Sequence, residues 1–192
     1  MTFLSAVDRA DLEARWNEPH RVYHTLRHLR ECLEHFARVR ESAQDLDVVE
    51  SAMWFHDAIH DARRDDNERQ SALLAREMLL ARGVAPAQIA RVEAIILATR
   101  HAGPSEDPDA QLVCDIDLAV LGAAPPRFDQ YERDVRAEYA WVPLPIFRVK
   151  RAEILMRFLA TARIYQTEAF HEQYDEPARH NLSRSLAALR GS

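Results

Sequence analysis

The chain has 192 residues, of which 47% are apolar and 29% charged, and its formal net charge is −6. This length allows one domain to bury its own core, and no window approaches the roughly 18 uninterrupted apolar residues of a membrane helix. The acidic balance argues against a general nucleic-acid-binding surface. The sequence therefore predicts a single domain over residues 1–192 with no membrane partner.

The N-terminal residues and the cysteines bear on the cellular compartment. Charged side chains interrupt residues 1–15 before any apolar run develops, which differs from the plan of a secretory signal peptide. The two cysteines, Cys32 and Cys114, lie far apart and form no paired spacing. This usage is typical of reduced thiols and excludes a disulfide scaffold or a four-thiolate zinc site. We expect a cytoplasmic protein.

The predicted elements are all helices. The chain has only four glycines and nine prolines, and no Asn-Gly or Asp-Gly hairpin signal is present. Over residues 21–41, Leu26, Leu29, Leu33 and Phe36 recur at steps of three and four, which predicts one face of a helix. The other predicted helices are 46–59, 67–82, 86–99, 110–121, 128–140, 146–165 and 177–189, and most of their ends are marked by proline or glycine.

The first motif is YHTLRH, in which His24 and His28 are four residues apart. On a helix this spacing stacks both imidazoles on one side, so that they can enter one cavity. The glutamate of the zinc-protease version of this spacing is absent. The alternative is that both rings serve surface or core packing.

The second motif is His56 followed by Asp57, near the end of the most apolar predicted helix. A carboxylate among apolar side chains is costly unless it is paired or binds a cation. His60 is four residues after His56, one turn further on the same helix face. Such mixed nitrogen and oxygen ligands suit Mn, Fe, Zn, Ni or Co. The alternative is a helix-terminal hydrogen bond between His56 and Asp57, with His60 exposed.

The third motif is LVCDIDLAVLG, which places Asp115 and Asp117 inside an apolar helix. Residues two positions apart on a helix are rotated by about 200° around the helix axis. We therefore expect one carboxylate to point to the site and the other to solvent or to an arginine. His101, after ILATR, adds an imidazole at the mouth of a loop. It is either a further site residue or a plain loop histidine.

A histidine, then a contiguous His-Asp pair, then a distal aspartate on separate helices resembles the HD superfamily of metal-dependent phosphohydrolases. The stretches YHTLRHL, FHDAIHD, DNERQSA, DIDLAVLG and EPARHNL are similar to those of stand-alone bacterial members. The resemblance implies an all-α, single-domain HD-type helical bundle. Its metal-ligand core would span about residues 20–122, and C-terminal helices over about 127–190 would pack on that core.

The resemblance also implies residue roles. It makes His28, His56 and Asp57 metal ligands, with Asp57 placed to bridge two ions if two bind. Asp117 is favoured as the distal ligand, and Asp115 remains an alternative. The tract YHTLRH is similar to one in cyclic nucleotide phosphodiesterases, which implies that His24 is the general acid. No match to the purine-reading region of those enzymes is present.

By the same resemblance, His60 and His101 match positions that bind a second metal or meet the substrate. One or two ions of Mn, Fe, Zn, Ni or Co would lower the pKa of a bound water and hold phosphate oxygens. Arg63 and Arg64 are candidate phosphate-binding groups because guanidinium forks match phosphate oxygens. Arg151 is a weaker candidate of the same kind, and the alternative for Arg63 and Arg64 is a solvated charged turn.

The expected activity is metal-dependent hydrolysis of a small phosphate mono- or diester, with nucleotides among the candidate substrates. Two alternatives remain open. One is an HD-type di-iron oxygenase, and the other is a metal- or ligand-binding module without turnover. The exposed faces of the C-terminal helices could also pair two chains into a homodimer.

Overall fold

The computed structural model describes residues 2–191, and every regular element in that range is a helix. This confirms the all-α prediction. The α-helices are α1 (Ala6–Trp16), α2 (Leu26–Arg38), α3 (Leu46–Phe55), α4 (Asn67–Ala81), α5 (Pro86–Ala98), α6 (Pro108–Asp117), α7 (Pro125–Glu138), α8 (Leu144–Ala160) and α9 (Glu168–Arg190). Short 3-10 segments cover Arg40–Ser42 and Leu118–Gly122. Within residues 2–191, no helix has the length and apolarity needed to cross a bilayer.

The chain divides into two compact units, the first ending at Asp117 and the second beginning at Leu118. In the first unit α3 is central, because it packs on α1, α2, α4, α5 and α6. Seven of its ten residues are buried, as expected for a helix surrounded on most sides. Asp45 caps the start of α3 by accepting from the backbone N–H of Val48.

Helix α1 was not predicted from the sequence, although two signals for it are present. Ser5 and Asp8 form a reciprocal capping box, and Leu12 and Trp16 follow at a spacing of four on the buried face. The indole N–H of Trp16 donates to the carbonyl of Trp54 at 3.0 Å. This bond fixes the end of α1 against the end of α3.

Two predicted helix ends are wrong in a way that affects the histidine motifs. The helix predicted over 21–41 begins only at Leu26, so His24 lies in the bend before α2. The helix predicted over 46–59 ends at Phe55, so His60 is not one helical turn beyond His56. In both places long-range hydrogen bonds to the backbone hold a non-helical path that local periodicity does not reveal.

In the second unit, α9 packs on α8 and on the 3-10 segment Leu118–Gly122. Pro177 was predicted to open the last helix, but α9 begins at Glu168 and contains Pro177 in its interior. Four residues later, the Asn181 amide donates to the carbonyls of Leu121 and Ala123, both at 2.9 Å. These tertiary contacts hold the helix in place despite the hydrogen bond that proline cannot make.

The helix predicted over 146–165 ends earlier, at Ala160. The guanidinium of Arg179, on α9, donates to the carbonyls of Leu159, Thr161 and Ala162 at 2.8–3.2 Å. These bonds satisfy backbone oxygens that a helix leaves without partners at its C-terminus. A side chain distant in the sequence therefore stabilises the C-terminal end of α8.

We expect Gly122→Ala to lower the melting temperature, because a Cβ at position 122 would lie 2.7 Å from the backbone oxygen of Tyr174. Relieving this overlap requires α9 to shift and costs about 1–3 kcal/mol. Gly103→Ala is the matched control, since its Cβ would meet nothing within 4 Å. Thermal unfolding followed by circular dichroism measures both variants, and equal melting temperatures would contradict the prediction.

Candidate metal centre

Three side chains from three helices converge in the first unit. His28 lies in the first turn of α2, His56 immediately follows α3, and Asp117 is the last residue of α6. The Nε2 atoms of His28 and His56 are 3.3 Å apart, and Asp117 Oδ1 lies 3.0 Å from the first and 3.7 Å from the second. Both rings are buried, whereas 18% of the Asp117 side chain is exposed.

These separations test whether the three groups fit one metal ion. Imidazole nitrogen and carboxylate oxygen bind first-row ions at about 2.0–2.1 Å, so neighbouring ligands of one ion lie roughly 3.0–3.4 Å apart. The observed triangle has edges of 3.0, 3.3 and 3.7 Å. Two imidazoles and one carboxylate can therefore hold a divalent transition metal with little movement.

The His56 ring is oriented for coordination by contacts on its other sides. Its Nδ1 lies 2.8 Å from the carbonyl of Met53, and because a carbonyl only accepts, Nδ1 carries the proton. The lone pair of a neutral ring is then on Nε2, which faces His28 and Asp117. The indole of Trp16 packs on the ring at a centroid distance of 5.2 Å. Helix α1 thus forms part of the site.

The charges of His28 and Asp117 support each other. Burial opposes a charge on His28, but Cys32 and the Asp117 carboxylate beside it raise the pKa of this ring well above its usual value. Burial likewise opposes ionisation of Asp117, but hydrogen bonds from His101 and His28 hold the pKa of that carboxyl well below its usual value. Asp117 is therefore ionised at neutral pH.

His101 binds the second oxygen of Asp117. Its Nε2 lies 2.8 Å from Oδ2, while His28 is bonded to Oδ1. The backbone of His101 is left-handed, with φ 50°, a conformation that is uncommon outside glycine and more frequent for histidine. This residue ends the α5 region, where its N–H donates to the carbonyl of Ala98 at 3.0 Å. The strained turn aims the ring at Asp117.

Asp57 lies between this cluster and a second pair of histidines. Its Oδ2 is 3.5 Å from His56 Nε2 and 3.9 Å from His24 Nε2. The rings of His24 and His60 are stacked, with centroids 3.9 Å apart. Burial opposes ionisation, but the three neighbouring imidazoles lower the pKa of Asp57. The structure therefore places His24, Asp57 and His60 together, although neither histidine has the helical position that the sequence predicts.

Arg21 is a site-positioning residue that the sequence analysis missed. Its buried guanidinium donates to the carbonyls of His24, Asp57 and Ala58 at 3.2, 2.6 and 3.0 Å. It also pairs with Glu18 at 3.0 Å. This one side chain joins the bend before α2 to the turn after α3. A buried arginine carries no periodic or motif signal, so its role could not be found in the sequence.

Two side chains of the stretch DNERQSA, Asn67 and Ser71, also bind the backbone of the turn after α3. The Asn67 side chain accepts from the N–H of Asp61 at 3.1 Å and donates to its carbonyl at 3.0 Å. The Ser71 hydroxyl exchanges two hydrogen bonds with the backbone of Ile59, at 3.0 and 3.2 Å. These bonds fix the path of the chain that carries His60.

The remaining candidate residues lie elsewhere. Asp115 is fully buried, which excludes the solvent-facing orientation, and it is not among the four side chains that lie within ligand distance of one another. Arg63 and Arg64 are exposed, and Arg64 pairs with Asp66 in the same turn at 2.7 Å. For Arg64 this contact agrees with the alternative interpretation, in which the residue belongs to a solvated charged turn.

Arg151 lies in the second unit and has internal partners there. Its guanidinium donates to the Tyr131 hydroxyl at 2.8 Å and forms an ion pair with Glu132. The guanidinium also lies over the Tyr131 ring at 5.0 Å. The side chain is buried, so its contacts are those of a structural ion pair and not of a phosphate-binding group.

Comparisons with known proteins leave the family of this chain open. No protein-family model, curated protein or solved structure matches it. The functional interpretation therefore depends on the residues of the cluster and on their geometry.

Proposed function

We propose that this protein is a metal-dependent hydrolase of phosphate mono- or diesters and a member of the HD superfamily. The observation that supports this proposal is the convergence of His28, His56 and Asp117 from three helices, at 3.0–3.7 Å, with Asp57 alongside. The order of these residues along the chain is the one that suggested the superfamily. An ion bound here would lower the pKa of a coordinated water and neutralise charge on phosphate oxygens.

The histidines of the site have distinct roles in this proposal. His28 and His56 are buried and turn their Nε2 atoms toward Asp117, so they are ligands and not proton donors to a substrate. His24 is 22% exposed and stands 3.9 Å from Asp57, where it can meet a substrate. An imidazole can carry a proton and donate it, so His24 is the group proposed to protonate the leaving oxygen.

The test combines metal analysis with a phosphate-ester assay. Elemental analysis of protein purified without chelator is expected to find Mn, Fe, Zn, Ni or Co. Hydrolysis of p-nitrophenyl phosphate or bis(p-nitrophenyl) phosphate is expected to stop with a chelator and return with metal. Asp57→Ala should abolish hydrolysis, whereas Asp65→Ala, in the exposed turn, should leave it unchanged.

Three outcomes would overturn the proposal. An Asp57→Ala protein with full activity would remove the assigned site. Two equivalents of iron with oxygen consumption and no ester hydrolysis would replace the hydrolase with a di-iron oxygenase. Bound metal without either activity, across a wide ester screen, would leave a metal-binding module.

A further inference from the structure

Cys32 lies one turn after His28 on α2 and faces the same cluster. Its side chain is buried, with 2% of the residue exposed, and its Sγ is 3.8 Å from both ring nitrogens of His28. One ligand atom from each of His28, Cys32, His56 and Asp117 lies within 4.8 Å of the other three. None of the sequence motifs included this cysteine.

We infer that Cys32 is a fourth protein ligand of the metal, which makes the centre a zinc site with two nitrogens, one oxygen and one sulfur. This inference rests on the metal centre of the proposed function. Zinc binds thiolate at about 2.3 Å and imidazole at about 2.0–2.1 Å, which places sulfur and nitrogen roughly 3.6 Å apart in a tetrahedral site. Sγ is 3.8 Å from both Nε2 and Nδ1 of His28, so the sulfur lies beside the ring, and a rotation of the Cys32 side chain would bring it in front of Nε2.

The sulfur decides which metal the site prefers. Two imidazoles and a carboxylate would accept most first-row ions, but a thiolate favours zinc over manganese or magnesium, which prefer oxygen. As the metal–sulfur bond forms, the thiol proton passes to solvent. Four protein ligands complete a tetrahedron around the ion. A reactive water would therefore bind as a fifth ligand, and zinc also adopts five-coordinate geometry.

Cobalt(II) provides a spectroscopic test that does not depend on activity. The wild-type protein loaded with cobalt is expected to show a near-ultraviolet thiolate-to-cobalt charge-transfer band together with visible ligand-field bands. Cys32→Ser should lose the charge-transfer band, keep bound cobalt, and bind zinc at least about 10- to 100-fold more weakly, the loss typical even of a residue that only supports a ligand. Cys114→Ser is the matched control, because Cys114 is the other buried thiol of the chain and should keep the band.

The outcomes separate this inference from the proposed function. Bound cobalt without a charge-transfer band in the wild type would overturn the sulfur ligand and leave the metal centre standing. No bound cobalt or zinc at all would overturn both. Zinc X-ray absorption on the wild-type protein needs no variant: one sulfur at about 2.3 Å is expected, and a shell of nitrogen and oxygen alone would overturn the inference even if Cys32→Ser fails to fold.

Discussion

Asp117→Asn is expected to weaken metal binding about 10²- to 10⁴-fold, which corresponds to the roughly 3–5 kcal/mol typical of breaking a buried ionic contact. The Asp117 carboxylate binds His28 through one oxygen and His101 through the other. An amide has the same shape but no charge and only one accepting atom, so it cannot replace both bonds. Elemental analysis and zinc titration measure the effect, and ester hydrolysis should fall with metal occupancy.

Asp115→Asn is the matched control for the effect of Asp117→Asn on metal binding. Asp115 is fully buried two residues earlier on α6 and lies outside the ligand group. We expect this variant to unfold at a lower temperature while it keeps its metal. If a helical Asp117→Asn protein retained metal and Asp115→Asn lost it, the assignment of the distal ligand would be reversed.

Arg21→Met is expected to disrupt both the stability and the site. The variant would leave the carbonyls of His24, Asp57 and Ala58 without the donor that they have in the native protein. Removing one member of such a buried charged network costs about 3–5 kcal/mol, which for a chain of this size lowers the melting temperature by roughly 10 °C. Calorimetry measures this loss, and metal content should fall because the turn that directly follows His56 is released.

Arg27→Met is the matched control for Arg21. Arg27 is 58% exposed and pairs with Glu31, one turn away, so its loss should change stability by less than about 0.5 kcal/mol. Arg21→Lys should resemble Arg21→Met, because a single ammonium cannot reproduce the fork that reaches three carbonyls. An Arg21→Met protein that melts with the wild type and keeps its metal would show that the turn does not need this arginine.

Local patterns predicted most of the helices and the residues of the candidate site. The spacing of apolar residues located α2 to α8, and the glycine and proline signals placed the end of α4 and the start of α5 within one residue. Histidine and aspartate motifs identified His28, His56 and the two candidates Asp115 and Asp117, of which the structure brings Asp117 to the histidines. These features depend on backbone geometry within a few turns of the chain, and that information is present in any short window.

Other parts of the site depend on contacts between residues distant in the sequence. Asp117, and not Asp115, reaches the histidines because α6 packs on α2. The indole of Trp16 contacts the His56 ring because α1 packs on α3. His24 and His60 stack although both lie outside helices, since Arg21 binds the carbonyls of the bend and turn near them. Helical periodicity could not anticipate this arrangement.

The sequence by itself therefore determined the all-helical class and the histidine and aspartate motifs whose side chains converge. Only the tertiary structure decided which aspartate joins the histidines, that Cys32 stands beside them, and that Arg21 holds their supporting turns. The physical reason is that helix formation follows local backbone energetics, whereas a buried cluster needs its costs of desolvation offset by groups from several elements at once. Those groups meet only when the helices have packed.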